Sequence, residues 1–204
     1  MLKFAIAKGR ITKDSKELLT CCGFDMEEVN SSRKLILYNA DETISLILLK
    51  AGDIPLYVAN GAVDIGLVGK DTVLENDLDV YELTELDFAK CTLCVAGPKE
   101  KVALNNGIRI ATKYPELTKK FTKRRGIVAE IITLSGSIEL APLIHLSDCI
   151  VDLVQTGETL RENDLIVYEE ILSIAPMIIA NKVSYRTKSS EVDAFINICE
   201  RFGK

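Results

Sequence analysis

Short runs of β-branched and aliphatic residues recur along this chain, and segments with a helical pattern separate most of them. That alternation constrains the fold more than any other feature. Strands that keep returning through helices build α/β units with largely parallel sheets. Residues 4–7, 63–68, 91–96, 108–112, 127–133, 150–154, 165–173 and 175–180 read as strands, and 35–38 with 43–49 as a strand pair. Helices are expected over 11–22 (closed by Gly23), 53–60, from Lys70 onward, 114–125, 137–146 and 189–202. No internal repeat and no Gly/Ser-rich linker interrupts the pattern. Two compact lobes joined by strands fit it best.

Composition narrows the function classes. The chain has 204 residues, enough for one large or two small domains, and a net charge of −5 that argues against general nucleic-acid binding. The basic run from Lys119 to Arg125 ends a helix, where positive charge is favourable, and lacks a stacking platform; it reads as a solvated face. No apolar run is long enough to span a bilayer, and the first residues enter a strand pattern with no leader, so a cytoplasmic protein is expected. Six cysteines form no framework: only Cys91 and Cys94 have metal-like spacing, and they sit in a strand-like segment. Reduced, buried thiols are expected. With His145 the only histidine, a zinc site has little to draw on.

The residues richest in chemistry run from Glu139 to Leu160. Within Ile-Val-Asp152-Leu-Val, Asp152 is the only charge, and an unpaired carboxylate in a buried strand is costly. Thr156-Gly157-Glu158-Thr159 then offers hydroxyls and backbone N–H groups at a helix start, an arrangement that attracts anions. Two acids beside an anion turn suit a phosphorylated sugar: carboxylates for ribose hydroxyls, the turn for phosphate. The plainer reading makes Glu139 a helix-surface charge and Asp152 an edge-strand acid. Ser135-Gly136-Ser137 is a second anion contact or an N-cap. Lys8-Gly9-Arg10 follows the first strand, where α/β sheets gather ligands, and is otherwise a solvated basic turn. Arg33 lies just before a strand and Lys50 just after one; both also fit as surface charges.

These motifs resemble the ATP phosphoribosyltransferase family. Its pattern runs from a Glu to Asp-x-x-x-Thr/Ser-Gly-x-Thr-Leu, which Glu139, Asp152, Thr156, Gly157, Thr159 and Leu160 match; His145 stands where the family usually has Gly, and Glu158 where Arg or a neutral residue is common. Lys-Gly-Arg-Ile at 8–11, Asp53-Ile-Pro-x-Tyr57 and Gly61-Ala-Val-Asp64-Ile-Gly66-Leu-Val-Gly69-Lys-Asp71 also match, in the family's order. The last of these also occurs in solute-binding relatives and marks the fold more than the reaction.

The resemblance implies a two-lobed type II periplasmic-binding-protein-like fold with a cleft, the lobes being 1–90 plus 174–204 and 91–173. It implies the first step of histidine biosynthesis, in which N1 of ATP joins the anomeric carbon of phosphoribosyl pyrophosphate. Lys8, Gly9, Arg10, Arg33 and Lys50 would then handle the pyrophosphate with Mg²⁺, Lys50 replacing an Arg of the family. Glu139 and Asp152 would hold the ribose, and Thr156, Gly157, Glu158 and Thr159 the 5-phosphate. The chain leaves no room for the regulatory domain of longer members. The short form is therefore expected, as catalytic dimers in a hetero-oligomer with a histidyl-tRNA-synthetase-like regulatory subunit. The rivals are a solute-binding domain, which would share the fold but usually carries an export signal or output domain, and a transferase for another base. The common type of the latter places two adjacent acids before its phosphate turn, whereas residues 140–151 separate the acids here.

Overall fold

The expected alternation is realised as two mixed α/β units, each with its own sheet. The computed structural model describes residues 1–100 and 102–202. One unit comprises Met1–Ala89 with Ala175–Lys204, the other Lys90–Ile174. The first contains β1 (Leu2–Ala7), α1 (Arg10–Asp14), α2 (Lys16–Cys21), α3 (Met26–Ser31), β2 (Ile36–Tyr38), β3 (Ile44–Leu49), α4 (Ile54–Ala59), β4 (Ile65–Gly69), α5 (Lys70–Asn76) and β5 (Tyr81–Glu85). The second contains β6 (Cys91–Pro98), β7 (Arg109–Thr112), α6 (Pro115–Arg124), β8 (Glu130–Thr133), α7 (Leu140–Leu143), β9 (Cys149–Val154), α8 (Glu158–Glu162) and β10 (Leu165–Ile174). The chain then returns to the first unit as β11 (Pro176–Ala180), α9 (Lys182–Thr187) and α10 (Ser189–Phe202).

The sheets run β2-β3-β1-β4-β11-β5 and β10-β6-β9-β7-β8. In the first, β3, β1 and β4 are parallel, and β11 is inserted antiparallel between β4 and β5. In the second, β8, β7 and β9 are parallel, and β6 is inserted antiparallel between β9 and β10. Each unit thus obtains its antiparallel strand at a point where the chain passes between units.

Burial explains the apolar runs. Along β1, Phe4 and Ile6 face one layer, where Phe195 of α10 packs on Phe4 with ring centroids 4.6 Å apart. Ala5 and Ala7 face the other, against Ile54 and Val58 of α4. A strand covered on both faces has no reason to alternate polar residues. Gly66 lets α4 lie directly on β4, since a Cβ there would come within 2.6 Å of Ile54 Cγ2. Asp64 ties the returning segment to this sheet. It is 4% exposed and accepts from Lys3 N (2.8 Å), Ser184 Oγ (2.6 Å) and Lys188 Nζ (2.7 Å). Burial pushes its carboxyl up, but the bonds from Lys188, Ser184 and Lys3 together hold it below the usual aspartate range.

Several local expectations change. The helix expected over 11–22 breaks at Ser15, whose Oγ donates back to Ile11 O at 2.7 Å, a side-chain bond that bends helices. The helix expected over 137–146 shrinks to α7, because Ser137 (φ 48) and His145 (φ 60) both take left-handed conformations that stop it. Ser137 is therefore not its N-cap; Glu139 occupies that position, without a side-chain capping bond. Strand β6 continues through Gly97-Pro98, with Pro98 opposite Leu165. Elements α3, β5 and α9 were not expected. All six cysteines are free thiols and all but Cys21 are buried. Burial, then neighbouring Asp148, pushes Cys149 up to about 12, and burial, then Glu170 and Cys91, pushes Cys94 up to about 11, so both stay protonated. Among the described residues no three His, Cys, Asp or Glu side chains gather as a metal site, and no helix is long and apolar enough to cross a membrane.

Candidate functional site

The first unit collects cations at one sheet edge. Strands β1, β3 and β4 run parallel, so their carboxyl ends leave the sheet together; β2 runs against β3, so its start lies there too. Lys8 N donates to Leu49 O at 2.9 Å, which extends the β1–β3 ladder and seats Lys8 beside Lys50. Leu48 N donates to Leu35 O at 3.0 Å, which brings the approach to β2, and with it Arg33, to the same edge. Lys8, Arg33 and Lys50 are all exposed. Arg10 opens α1, but its side chain lies outside the described residues. Between them Gly9 turns the chain with φ 113, a region glycine enters at little cost, and a Cβ there would meet nothing within 4 Å. The backbone demands glycine here, while the space over it stays open to a ligand.

A cavity of about 240 Å³ opens at this turn, lined by Lys8, Gly9, Thr12, Lys13, Asn30 and Ser32 over an apolar floor of Val29 and Leu48. Its lining holds two lysines and no carboxylate, so it favours anions. Lys13, Asn30 and Ser32 were missed in the sequence. Lys13 lies one helical turn beyond Arg10 and could have been found by that spacing. Asn30 and Ser32 sit on or just after α3, which carries no sequence signal strong enough to place them. Lys70, at the end of β4, is already engaged by Glu85.

In the second unit the acids and hydroxyls gather at the corresponding edge. The carboxyl ends of β7, β8 and β9 leave together, and strand order reverses between β7 and β9, the switch point at which open α/β sheets bind ligands. The last β7–β9 pair is Thr112 with Val151. Asp152 is the next residue of β9, past the end of β7 but still paired with Cys94 of β6 on its other side. It is half-buried, and its Oδ1 accepts Leu153 N at 2.8 Å. The strand then delivers Thr156 and Gly157. Gly157 takes φ 70 at the start of α8, while Thr156 Oγ1 accepts Glu158 N at 3.3 Å. Arg161 donates through Nη1 to Thr156 O at 2.9 Å, a brace over the turn. Thr156, Glu158 and Thr159 are exposed.

Glu139, half-buried, follows the loop that leaves β8 and precedes α7, which packs on β9 and β6. His145 has φ 60, a backbone conformation that glycine takes at little cost. Its carbonyl is held by Arg109 Nη1 at 3.0 Å, and Arg109 also pairs with Asp148 at 2.7 Å. His145 is thus a residue just past the end of α7 whose backbone carbonyl is engaged. Within each unit the strand ends set where the expected residues emerge: Lys8, Gly9, Arg33 and Lys50 at one edge of the first sheet, Asp152 and residues 156–159 after β9 in the second, with Glu139 at the start of α7.

Comparison with known proteins gives one consistent answer. A model of the ATP phosphoribosyltransferase family matches residues 50–201, a stretch containing Lys50, both acids and the 156–159 turn. The chain is 47% identical to an ATP phosphoribosyltransferase of Oceanobacillus iheyensis, over 95% of this chain and 94% of that one. It is 43% identical to one of Alkaliphilus metalliredigens over 100% of this chain and 99% of that one, which takes in Lys8, Arg10 and Arg33. Among solved structures, a chain of the ATP phosphoribosyl transferase (HisG:HisZ) complex from Thermotoga maritima superimposes with a TM-score of 0.87 at 35% identity, covering 99% of this chain and 98% of that one. The chain belongs to the ATP phosphoribosyltransferase family.

Proposed function

We propose that this chain joins N1 of ATP to the anomeric carbon of phosphoribosyl pyrophosphate, the first step of histidine biosynthesis. The single observation that carries the division of roles is the placement of Asp152: the first β9 residue beyond the end of β7, at the switch point, on the strand that runs on into Thr156-Gly157. Asp152 and Glu139 accept hydrogen bonds from the ribose 2′- and 3′-hydroxyls, and residues 156–159 receive the 5-phosphate. Lys8, Arg33 and Lys50 face the pyrophosphate. Adenine N1 attacks the anomeric carbon as its bond to the pyrophosphate oxygen breaks, and the pyrophosphate leaves with both bonding electrons. Positive charge builds on the ribose ring during this exchange, so the carboxylates stabilise it electrostatically while the cations stabilise the departing anion. Adenine N1 already carries a lone pair and needs no general base.

Enzymes of this family need a metal ion. Mg²⁺ is the ion expected, held largely by the substrate's own phosphate oxygens, as is usual for this ion. When bound, that ion adds positive charge to the leaving pyrophosphate beside Lys8, Arg33 and Lys50. The Thermotoga relative is a HisG:HisZ complex, and its match supports a regulatory subunit here; that this subunit resembles histidyl-tRNA synthetase, that the catalytic chains pair as dimers and that the assembly works in the cytoplasm are parts of the same proposal.

The test is pyrophosphate release by the purified chain with ATP, phosphoribosyl pyrophosphate and Mg²⁺, alone and with the regulatory subunit. Mass analysis should find phosphoribosyl-ATP. No product under either condition would refute the reading.

A further inference from the structure

Thr112 ends β7 at the switch point and is fully buried, with 0% exposure. Its groups reach three segments. The hydroxyl donates to Val151 O at 2.7 Å, the residue just before Asp152. The same oxygen accepts from Tyr114 N at 2.9 Å, where the chain turns into α6. Its backbone carbonyl accepts from Leu134 N at 2.9 Å, at the start of the loop that leads to Glu139. Thr118 supports the group from α6: its hydroxyl donates to Tyr114 O at 2.7 Å and lies 3.4 Å from the Thr112 hydroxyl.

The chemistry of these contacts is specific. The backbone ladder between β7 and β9 stops at the Thr112–Val151 pair, yet β9 must continue for Asp152 to stand in the crevice. A side-chain hydroxyl bonded to Val151 O holds β9 at that end. Only a side chain that both donates and accepts can serve Val151 O and Tyr114 N together. Valine has the shape of threonine but would remove both of these bonds.

We propose that Thr112 is a positioning residue for the ribose grip, its hydroxyl holding the Asp152 strand at the end of β7 so that this carboxylate meets the sugar. This rests on the proposed function. The prediction is a selective defect: Thr112→Val raises KM for phosphoribosyl pyrophosphate at least tenfold and leaves KM for ATP within twofold of wild type. Thr112→Ser, which keeps the hydroxyl, restores the first constant to within threefold.

The experiment is steady-state kinetics of the full chain with its regulatory subunit, varying each substrate in turn. A defect spread equally over both constants, no defect, or failure of serine to rescue would each overturn the proposal. If the valine variant does not fold, Thr112→Cys carries the test, its weak donor giving an intermediate and equally selective rise. A wild-type enzyme that makes no phosphoribosyl-ATP refutes the proposed function itself, a result distinct from an active wild type with indifferent Thr112 variants.

Discussion

The two units share a topology and differ in chemistry. Each has a central strand flanked by two parallel neighbours, with an antiparallel strand inserted before the outermost one. In the first unit the strand beyond the switch point runs on through Val68 to Gly69, both paired with β11, and the edge carries Lys8, Arg33 and Lys50. In the second the equivalent strand runs on through Asp152 to a Thr-Gly turn, and the edge carries carboxylates and hydroxyls. One scaffold can thus present an edge for a strongly anionic leaving group and another for a sugar. The lesson is that ligand chemistry is set by the few residues after each strand end, while the apolar strands fix only where those residues emerge.

Substitutions can break this contrast. The largest effect is expected at Asp152→Asn, which keeps shape but removes the charge: kcat/KM should fall by about 100-fold or more, with a melting temperature close to wild type. Near-normal turnover would remove the second unit's role. A smaller effect, a rise of about tenfold, is expected in KM for phosphoribosyl pyrophosphate from Lys50→Ala. Lys50→Arg should match or improve on wild type, since a guanidinium fork grips phosphate with two parallel bonds. An arginine variant as poor as alanine would show that Lys50 does not face phosphate.

Stability sharpens the contrast further. Asp64 is held below the ordinary aspartate range in the folded chain. The stability it contributes is therefore complete above the unfolded value of about 3.9 and is lost as pH falls through the lower folded value. Urea midpoints measured between pH 5 and pH 3 should fall more steeply for wild type than for Asp64→Asn; parallel curves would discount the Lys188 pairing. The smallest effect is expected in the second unit, where His145→Gly should raise unfolding stability by about 0.5 kcal/mol by relieving the left-handed backbone. A clear loss would mean that the imidazole packs against something.

Much of this was legible in the residues. The strands at 4–7, 150–154 and 175–180 stood out because apolar runs buried on both faces leave a strong signal, and Asp152 stood out by interrupting one. Glycines at 9 and 157 marked turns whose positive φ the structure realises. Less legible were features that depend on distant partners. Neither the Ser15 break nor the short α7 could be read from helical pattern alone, because a hydroxyl returning to Ile11 and left-handed residues at 137 and 145 override propensity. Thr112 looked like the last residue of a strand, since nothing local to it reveals that β9 lies alongside. Lys13 was visible by spacing, but its cavity required α3 to be folded over it.

The central claim is that pyrophosphate is held by the first unit and ribose 5-phosphate by the second. Isothermal titration of each ligand in the presence of Mg²⁺ tests it most directly, using wild type, Lys8→Ala and Asp152→Asn. The account predicts a crossed pattern: Lys8→Ala weakens pyrophosphate and spares ribose 5-phosphate, while Asp152→Asn does the reverse. Variants that weaken both ligands equally, or the opposite crossing, would contradict it.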